Sequence, residues 1–119
     1  MARIRYIKPE FFTDEDITEL PFEARLLYVG LWCYADKAGR LEYRPKFLKA
    51  MIFPYDKVDL DKLIGFLLVK PFIIRYRVEG REYLAIPTWE NHQKPHHTER
   101  DSIIPPPPTP PYMGMEKGM

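Results

Sequence analysis

Cysteine is nearly missing from this chain. The single Cys33 leaves no internal disulfide framework, and its apolar neighbours Leu31, Trp32 and Tyr34 mark a buried, inert thiol with no adjacent base to activate it. That usage suits a reducing compartment, so the protein is expected to be cytoplasmic. Long apolar runs are also missing. No window approaches the roughly 18 consecutive apolar residues of a membrane span, and the start, Met1-Ala2-Arg3-Ile4-Arg5, lacks the apolar stretch of a secretory signal, so no membrane partner is expected. There is no glycine-rich phosphate loop, which removes the usual cradle for ATP. An excess of charge of either sign is absent too: 18 basic and 17 acidic side chains give a net charge of +1. Any attraction to nucleic acid must therefore come from how charge is distributed rather than from its total.

What is present fits one packed domain. In 119 residues, 45% are hydrophobic and 14% aromatic, enough for a single core and too few for two domains of ordinary size. Proline marks the edge of that domain. Six of the thirteen prolines fall at positions 105 to 108, 110 and 111, where the missing amide donor and the preference for extended backbone exclude a helix or central strand. The sequence therefore divides into a folded domain over residues 1–101 and a proline-rich, disordered tail or linker over residues 102–119, a stiff solvated spacer that implies something beyond it. Docking of the run on an aromatic groove of a partner is the alternative. Charge is uneven within the domain. Six acids and no base occur from Glu10 to Glu23, whereas residues 24–58 hold seven bases against three acids, so an acidic end and a basic end are expected.

Periodicity supplies the elements. Thr13, followed by Asp16 and Ile17, predicts a capped short helix closed by Pro21. Phe22, Leu26, Leu27, Gly30, Leu31 and Tyr34 recur at three-and-four spacing and predict the central helix, ended by Gly39. A small strand follows at Gly39-Arg40-Leu41-Glu42. Pro45 then opens a helix over residues 45–51, stopped by Pro54, and Asp59 caps another carrying Leu60, Leu63, Ile64, Leu67 and Leu68. From Phe72 the period becomes two, with a turn at Glu79-Gly80 between strands bearing Ile74, Tyr76 and Val78 and residues 83–86. Thr88 is placed to cap one last turn, Trp89 to Gln93. The order predicts an α+β fold, the winged helix-turn-helix: a three-helix core with a short strand and a C-terminal β-hairpin wing.

Dispersed motifs in that order resemble a known family. They are Ile4-Arg5-Tyr6-Ile7-Lys8-Pro9-Glu10-Phe11-Phe12, Ala24-Arg25-Leu26-Leu27 with Gly30-Leu31-Trp32, Asp36 through Gly39-Arg40-Leu41, Ile52-Phe53-Pro54-Tyr55-Asp56, and Asn91-His92-Gln93-Lys94-Pro95-His96-His97. Together they resemble the amino-terminal winged-helix domain of phage replisome organiser and DnaD-like replication initiation proteins, over nearly all of residues 3–98. The resemblance implies a role in starting DNA replication, with duplex DNA as partner, or assembly of the chain with itself and with a replicative helicase or helicase loader. Larger relatives carry a second domain after a linker.

The candidate DNA contacts are basic. Lys46 and Lys49 are expected on the exposed side of the second helix with Arg44 just before it, Lys57 and Lys62 surround the start of the third, and Arg75, Arg77 and Arg81 run along the hairpin. These eight cations are expected to gather on one face. The third helix begins Asp59-Leu60-Asp61-Lys62 and offers Gly65 and Phe66 outward, a poor set for reading bases. Phosphate-dominated binding is therefore expected, or else packing on a protein through Phe66 and the arm of residues 3–12. A transcription regulator on the same fold is a further alternative. His92, His96 and His97 have zinc-like spacing, but the rest of a four-ligand set is missing and no metal or other cofactor is expected. Asp14-Glu15-Asp16 point in different directions around a helix and suit a solvated first turn better than a cation site. No catalytic residue is assigned, and the protein is read as a non-enzyme.

Overall fold

The computed structural model describes residues 2–108. An extended N-terminal arm leads into a 3-10 turn at Pro9–Phe12, then α1 (Glu15–Thr18), α2 (Phe22–Tyr34), β1 (Arg40–Glu42), α3 (Pro45–Ile52), α4 (Leu60–Leu68), β2 (Ile74–Val78), β3 (Arg81–Ala85) and α5 (Trp89–His92). The three strands form one antiparallel sheet in the order β1-β3-β2, and the whole is a small α+β domain. Among the described residues no helix is long and apolar enough to cross a membrane.

Several starts and stops follow the local chemistry that predicted them. Asp59 caps α4 by accepting from the Lys62 amide, and Pro45 opens α3. Glu79 and Gly80 both take positive φ, 51° and 80°, as a two-residue turn matched to strand twist requires. Others differ. The cap of α1 is Asp14, whose carboxylate accepts from the amides of Asp16 and Ile17, because Thr13 is occupied closing the preceding 3-10 turn onto Glu10. Thr88 makes no side-chain cap on α5; its hydroxyl instead stands 3.1 Å from His92 Nε2.

The central helix ends at Tyr34, five residues before Gly39. The Asp36 carboxylate accepts from the amides of Ala38 and Arg40, and the Gly39 amide closes on the Asp36 carbonyl, so the side chain of Asp36 turns the chain into β1. Gly39 sits there at φ 78°, and a Cβ on it would lie 2.6 Å from the ring of Trp89. The buried face of α2 is also rotated from the expected stripe. Ala24, Leu27, Tyr28, Leu31 and Trp32 are inside, whereas Phe22 and Leu26 are exposed. A helix apolar on nearly every side carries little directional information in its periodicity.

The core gathers around α2. Tyr28 and Trp32 meet edge to face, Phe11 abuts Trp32, and His92 stacks on the same indole at 4.7 Å. Two polar side chains then tie the N-terminal arm and the segment around Glu99 to this core. Gln93 is buried and its amide bonds both the amide and the carbonyl of Tyr6, pairing the N-terminal arm as a strand would. Arg5 donates to the carbonyls of Trp32 and Ala35 and bidentately to Glu99, with both side chains nearly excluded from solvent, while its guanidinium lies over Trp89. The Arg5 guanidinium holds the Glu99 carboxyl below the usual glutamate range.

Residues 102–108, placed by the sequence with the tail, lie against the sheet. Ser102 donates to the Asp36 carboxylate, Arg40 to the Ile104 carbonyl and Tyr76 to the Pro105 carbonyl. The remainder of the proline-rich segment, residues 109–119, is outside the described residues.

Two predictions follow from this packing. Gly39→Ala combines a positive φ with a clash against Trp89 and is expected to cost about 2–5 kcal/mol in urea unfolding. Glu99→Gln is expected to be less stable than the parent at neutral pH. Because the folded pKa of Glu99 is lowered, the parent's advantage is fully present above the ordinary glutamate pKa and disappears as pH falls through the lowered value. Thermal midpoints of both proteins across an acid series check this.

Candidate nucleic-acid interface

The candidate surface is built by α3, α4 and the hairpin. In α3 the buried anchor is Leu48, which leaves Lys46 exposed. Arg44 lies over the ring of Phe47 at 4.6 Å, and Phe47 meets Tyr34 edge to face. Lys49 reaches past the end of its helix and donates to the carbonyls of Phe53, the C-cap, and Asp56, in the turn that follows, at 3.4 and 3.0 Å. Its charge thus serves the negative end of α3.

In α4, Leu60, Leu63, Ile64 and Leu67 face the core. Asp61, Lys62, Gly65 and Phe66 point outward, and a Cβ at Gly65 would meet nothing within 4 Å. Asp61 is engaged: the Tyr43 hydroxyl donates to its carboxylate. Burial, reinforced by Asp61, pushes the Tyr43 phenol upward, so it remains protonated and a donor.

Tyr43 is also the floor for Arg75, whose guanidinium lies 4.4 Å from the ring centroid. Arg75 Nε reaches Glu82 Oε2 at 2.7 Å, and Arg77 reaches Glu82 Oε1 at 3.1 Å. Arg75, with Arg77 adding to it, holds the Glu82 carboxyl below its usual range, and Glu82 in turn raises Arg75. A continuous relay, Asp61, Tyr43, Arg75, Glu82, Arg77, therefore joins the first turn of α4 to the hairpin. It contains two cations and two carboxylates.

The eight cations named from the sequence thus do not form one unpaired basic face. Register places Arg75 and Arg77 on the sheet face that also carries Leu84 and Glu82, whereas Arg81 is directly opposite Val78 and belongs to the other face. Lys46, Lys57, Lys62 and Arg81 make no ion pair among the described residues. Glu82 and Tyr43, which decide the electrostatics here, were not singled out from the sequence. A signal for Glu82 existed: once the turn is fixed at residues 79 and 80, Arg77 and Glu82 must face each other across the ribbon.

The histidines are dispersed in role. Nε2 of His92 stands 3.3 Å from the Tyr28 hydroxyl, and burial holds its pKa below the usual histidine value. His96 and His97 are exposed, with rings 4.3 Å apart. Among the described residues no group of three or more His, Cys, Asp or Glu side chains is arranged to hold a metal ion.

Fold and surface define a small α+β domain whose two short helices precede a charged hairpin. No protein-family model matches the sequence, and no curated protein matches it. Among solved structures the chain is similar to one described as "Structure of Rep-DNA complex", with 22% identity and a TM-score of 0.52, over 98% of this chain and 86% of that chain. At this identity the likeness is one of fold.

Tyr43→Phe tests the relay. Loss of the hydroxyl leaves Asp61 without its donor while keeping the ring under Arg75, and is expected to lower stability by about 1–2 kcal/mol in denaturant unfolding. Gly65→Ala, by contrast, is expected to stabilise α4 by about 0.5–1 kcal/mol in the same measurement, since the position is open and helical.

Proposed function

We propose that this domain is a winged helix that binds duplex DNA through its phosphate backbone during replication initiation, with the β2–β3 hairpin as the wing and no chemistry of its own. The observation that carries the reading is the fold likeness, extending over 98% of the chain, to a protein solved in a Rep–DNA complex. The element order, helix, strand, two helices and hairpin, supports it, as does the resemblance of the dispersed motifs to phage replisome organisers.

The electrostatics decide how binding works. Arg75 and Arg77 share one carboxylate, so their field at a phosphate is reduced, and Lys49 is committed to the carbonyls of Phe53 and Asp56. Lys57 and Lys62 flank the N-terminus of α4, which the Asp59 carboxylate already caps, and with Arg44, Lys46 and Arg81 they supply the unpaired charge. The outward positions of α4 offer one cation, one acid, a glycine and an aromatic. That set suits positioning on the backbone rather than discrimination among bases.

A second reading is favoured by a separate surface. Ile4, Ile7, Leu26 and Met51 are exposed apolar side chains lining a groove between the N-terminal arm, α2 and α3, a composition suited to packing on a second copy or on a helicase or helicase loader.

Gel-shift titrations over a salt series separate the two. The DNA reading expects affinity to fall steeply with salt, with a log–log slope that drops by about 0.9 for each phosphate contact removed. Lys57→Ala with Lys62→Ala should weaken unrelated duplexes alike by several-fold, and Glu82→Gln, which releases Arg75 and Arg77, should strengthen binding. Undetectable or salt-insensitive binding, together with a stable oligomer in sedimentation, would overturn it in favour of the protein-docking surface.

A further inference from the structure

Three buried side chains lie outside the main core. Antiparallel pairing places Arg40, Ile74 and Ala85 on one cross-strand row and Glu42, Tyr76 and Tyr83 on the next, all on the sheet face opposite Leu41 and Leu84. Leu41 and Leu84 join the helices in the core, so this second face points away from them and is the one that an antiparallel sheet commonly leaves wet. Yet Ile74, Tyr83 and Ala85 are only 5%, 7% and 7% exposed, and none of them belongs to the core cluster. The segment lying against them is residues 102–108.

The contacts suit a proline run. Such a run has no amide donors, so whatever holds it must donate to its carbonyls and offer a flat apolar surface to its rings. Arg40 donates to the Ile104 carbonyl at 2.9 Å, and the Tyr76 hydroxyl donates to the Pro105 carbonyl at 2.8 Å. Tyr76 and Tyr83 form a ring pair 5.6 Å apart beneath them, and Pro107 lines one groove with Ile74 and Ala85. Ser102, bonded to Asp36, fixes where the segment enters. Burial pushes the Tyr76 phenol up to about 12, which keeps it a donor at any physiological pH. Aromatic platforms with hydroxyl or guanidinium donors are how proteins recognise preformed, extended proline-rich peptides.

We propose that this outer face of the sheet is a recognition site for an extended proline-rich peptide, filled in cis by residues 104–108. Arg40 and Tyr76 are its carbonyl clamps, and Tyr76 and Tyr83 its platform. Arg81 lies on this same face of β3, beyond the Tyr76–Tyr83 row.

The test opens the site in the full chain by replacing residues 104–108 with glycine and serine of equal length. A fluorescent peptide Asp-Ser-Ile-Ile-Pro-Pro-Pro-Pro is then titrated in by anisotropy. The opened chain should bind it, the parent at least about ten-fold more weakly because its own segment competes, and the opened chain carrying Tyr76→Phe about five-fold more weakly, the effect of one lost hydrogen bond. No binding by a folded opened chain, or equal binding of a peptide with alanine in place of its prolines, overturns the proposal. Should the opened chain not fold, the parent decides: nuclear Overhauser effects between the Tyr76 ring and the Pro105 δ protons support the site, and their absence overturns it.

Discussion

Burial of α2 on several sides is the constraint on which the rest of the structure depends. Its thirteen residues present Leu27, Tyr28, Leu31 and Trp32 at essentially no exposure, and different elements cover different arcs of that surface. Helix α4 packs along one side. Helix α3 approaches another closely, and Gly30 allows it: a Cβ there would stand 2.8 Å from Ile52. The 3-10 turn and α5 close the aromatic end through Phe11 and His92. Burying a large aromatic or aliphatic side chain contributes roughly 1.5–3 kcal/mol, so these few residues outweigh the weak intrinsic preferences of four-residue helices such as α1 and α5, which do not persist without tertiary cover.

With α2 enclosed, the N-terminal arm and residues 93–99 become part of the domain. Arg5 cannot be buried as a lone charge, and the structure meets that cost with Glu99 and two carbonyls, a set of partners drawn from sequence positions 32, 35 and 99. Gln93 works similarly as a side-chain substitute for a neighbouring strand. The motif Asn91-His92-Gln93 thus has an architectural explanation in two of its members: His92 seals the indole of Trp32, and Gln93 fastens the arm.

This explains what was legible in the sequence and what was not. Elements whose boundaries depend on their own residues were readable, namely α3 from Pro45, α4 from Asp59 and the hairpin from Gly80. The spacing carries α2 on to Gly39, whereas the helix ends at Tyr34 and the Asp36 carboxylate shapes the turn that follows, with Gly39 serving the close approach of Trp89. The buried face of α2 was misread because nearly every face is apolar. The arm's attachment was illegible because Gln93 lies 87 residues from Tyr6, and a lone buried glutamine has no periodic signature. Among the candidate contacts, Arg75 and Arg77 were found as alternating cations, but their neutralisation by Glu82 depends on cross-strand register and their support by Tyr43 on tertiary packing.

The two faces of the sheet divide the molecule's surface chemistry. On the side shared with the helices, the hairpin carries Arg75, Arg77 and Glu82 and is joined through Tyr43 to the first turn of α4. On the opposite side, Arg40, Tyr76 and Tyr83 hold the proline segment. Leu84 and Tyr83 are neighbours on β3 pointing to opposite faces, so one strand backs both surfaces. Arrangement of charge follows the same division: the committed arginines stiffen the hairpin on one face, and the unpaired lysines at positions 57 and 62 flank the N-terminus of α4. Arg75 and Arg77 thus spend their planar guanidinium groups on one shared carboxylate that shapes the hairpin, whereas Arg44, Lys46, Lys57, Lys62 and Arg81 carry no ion partner among the described residues.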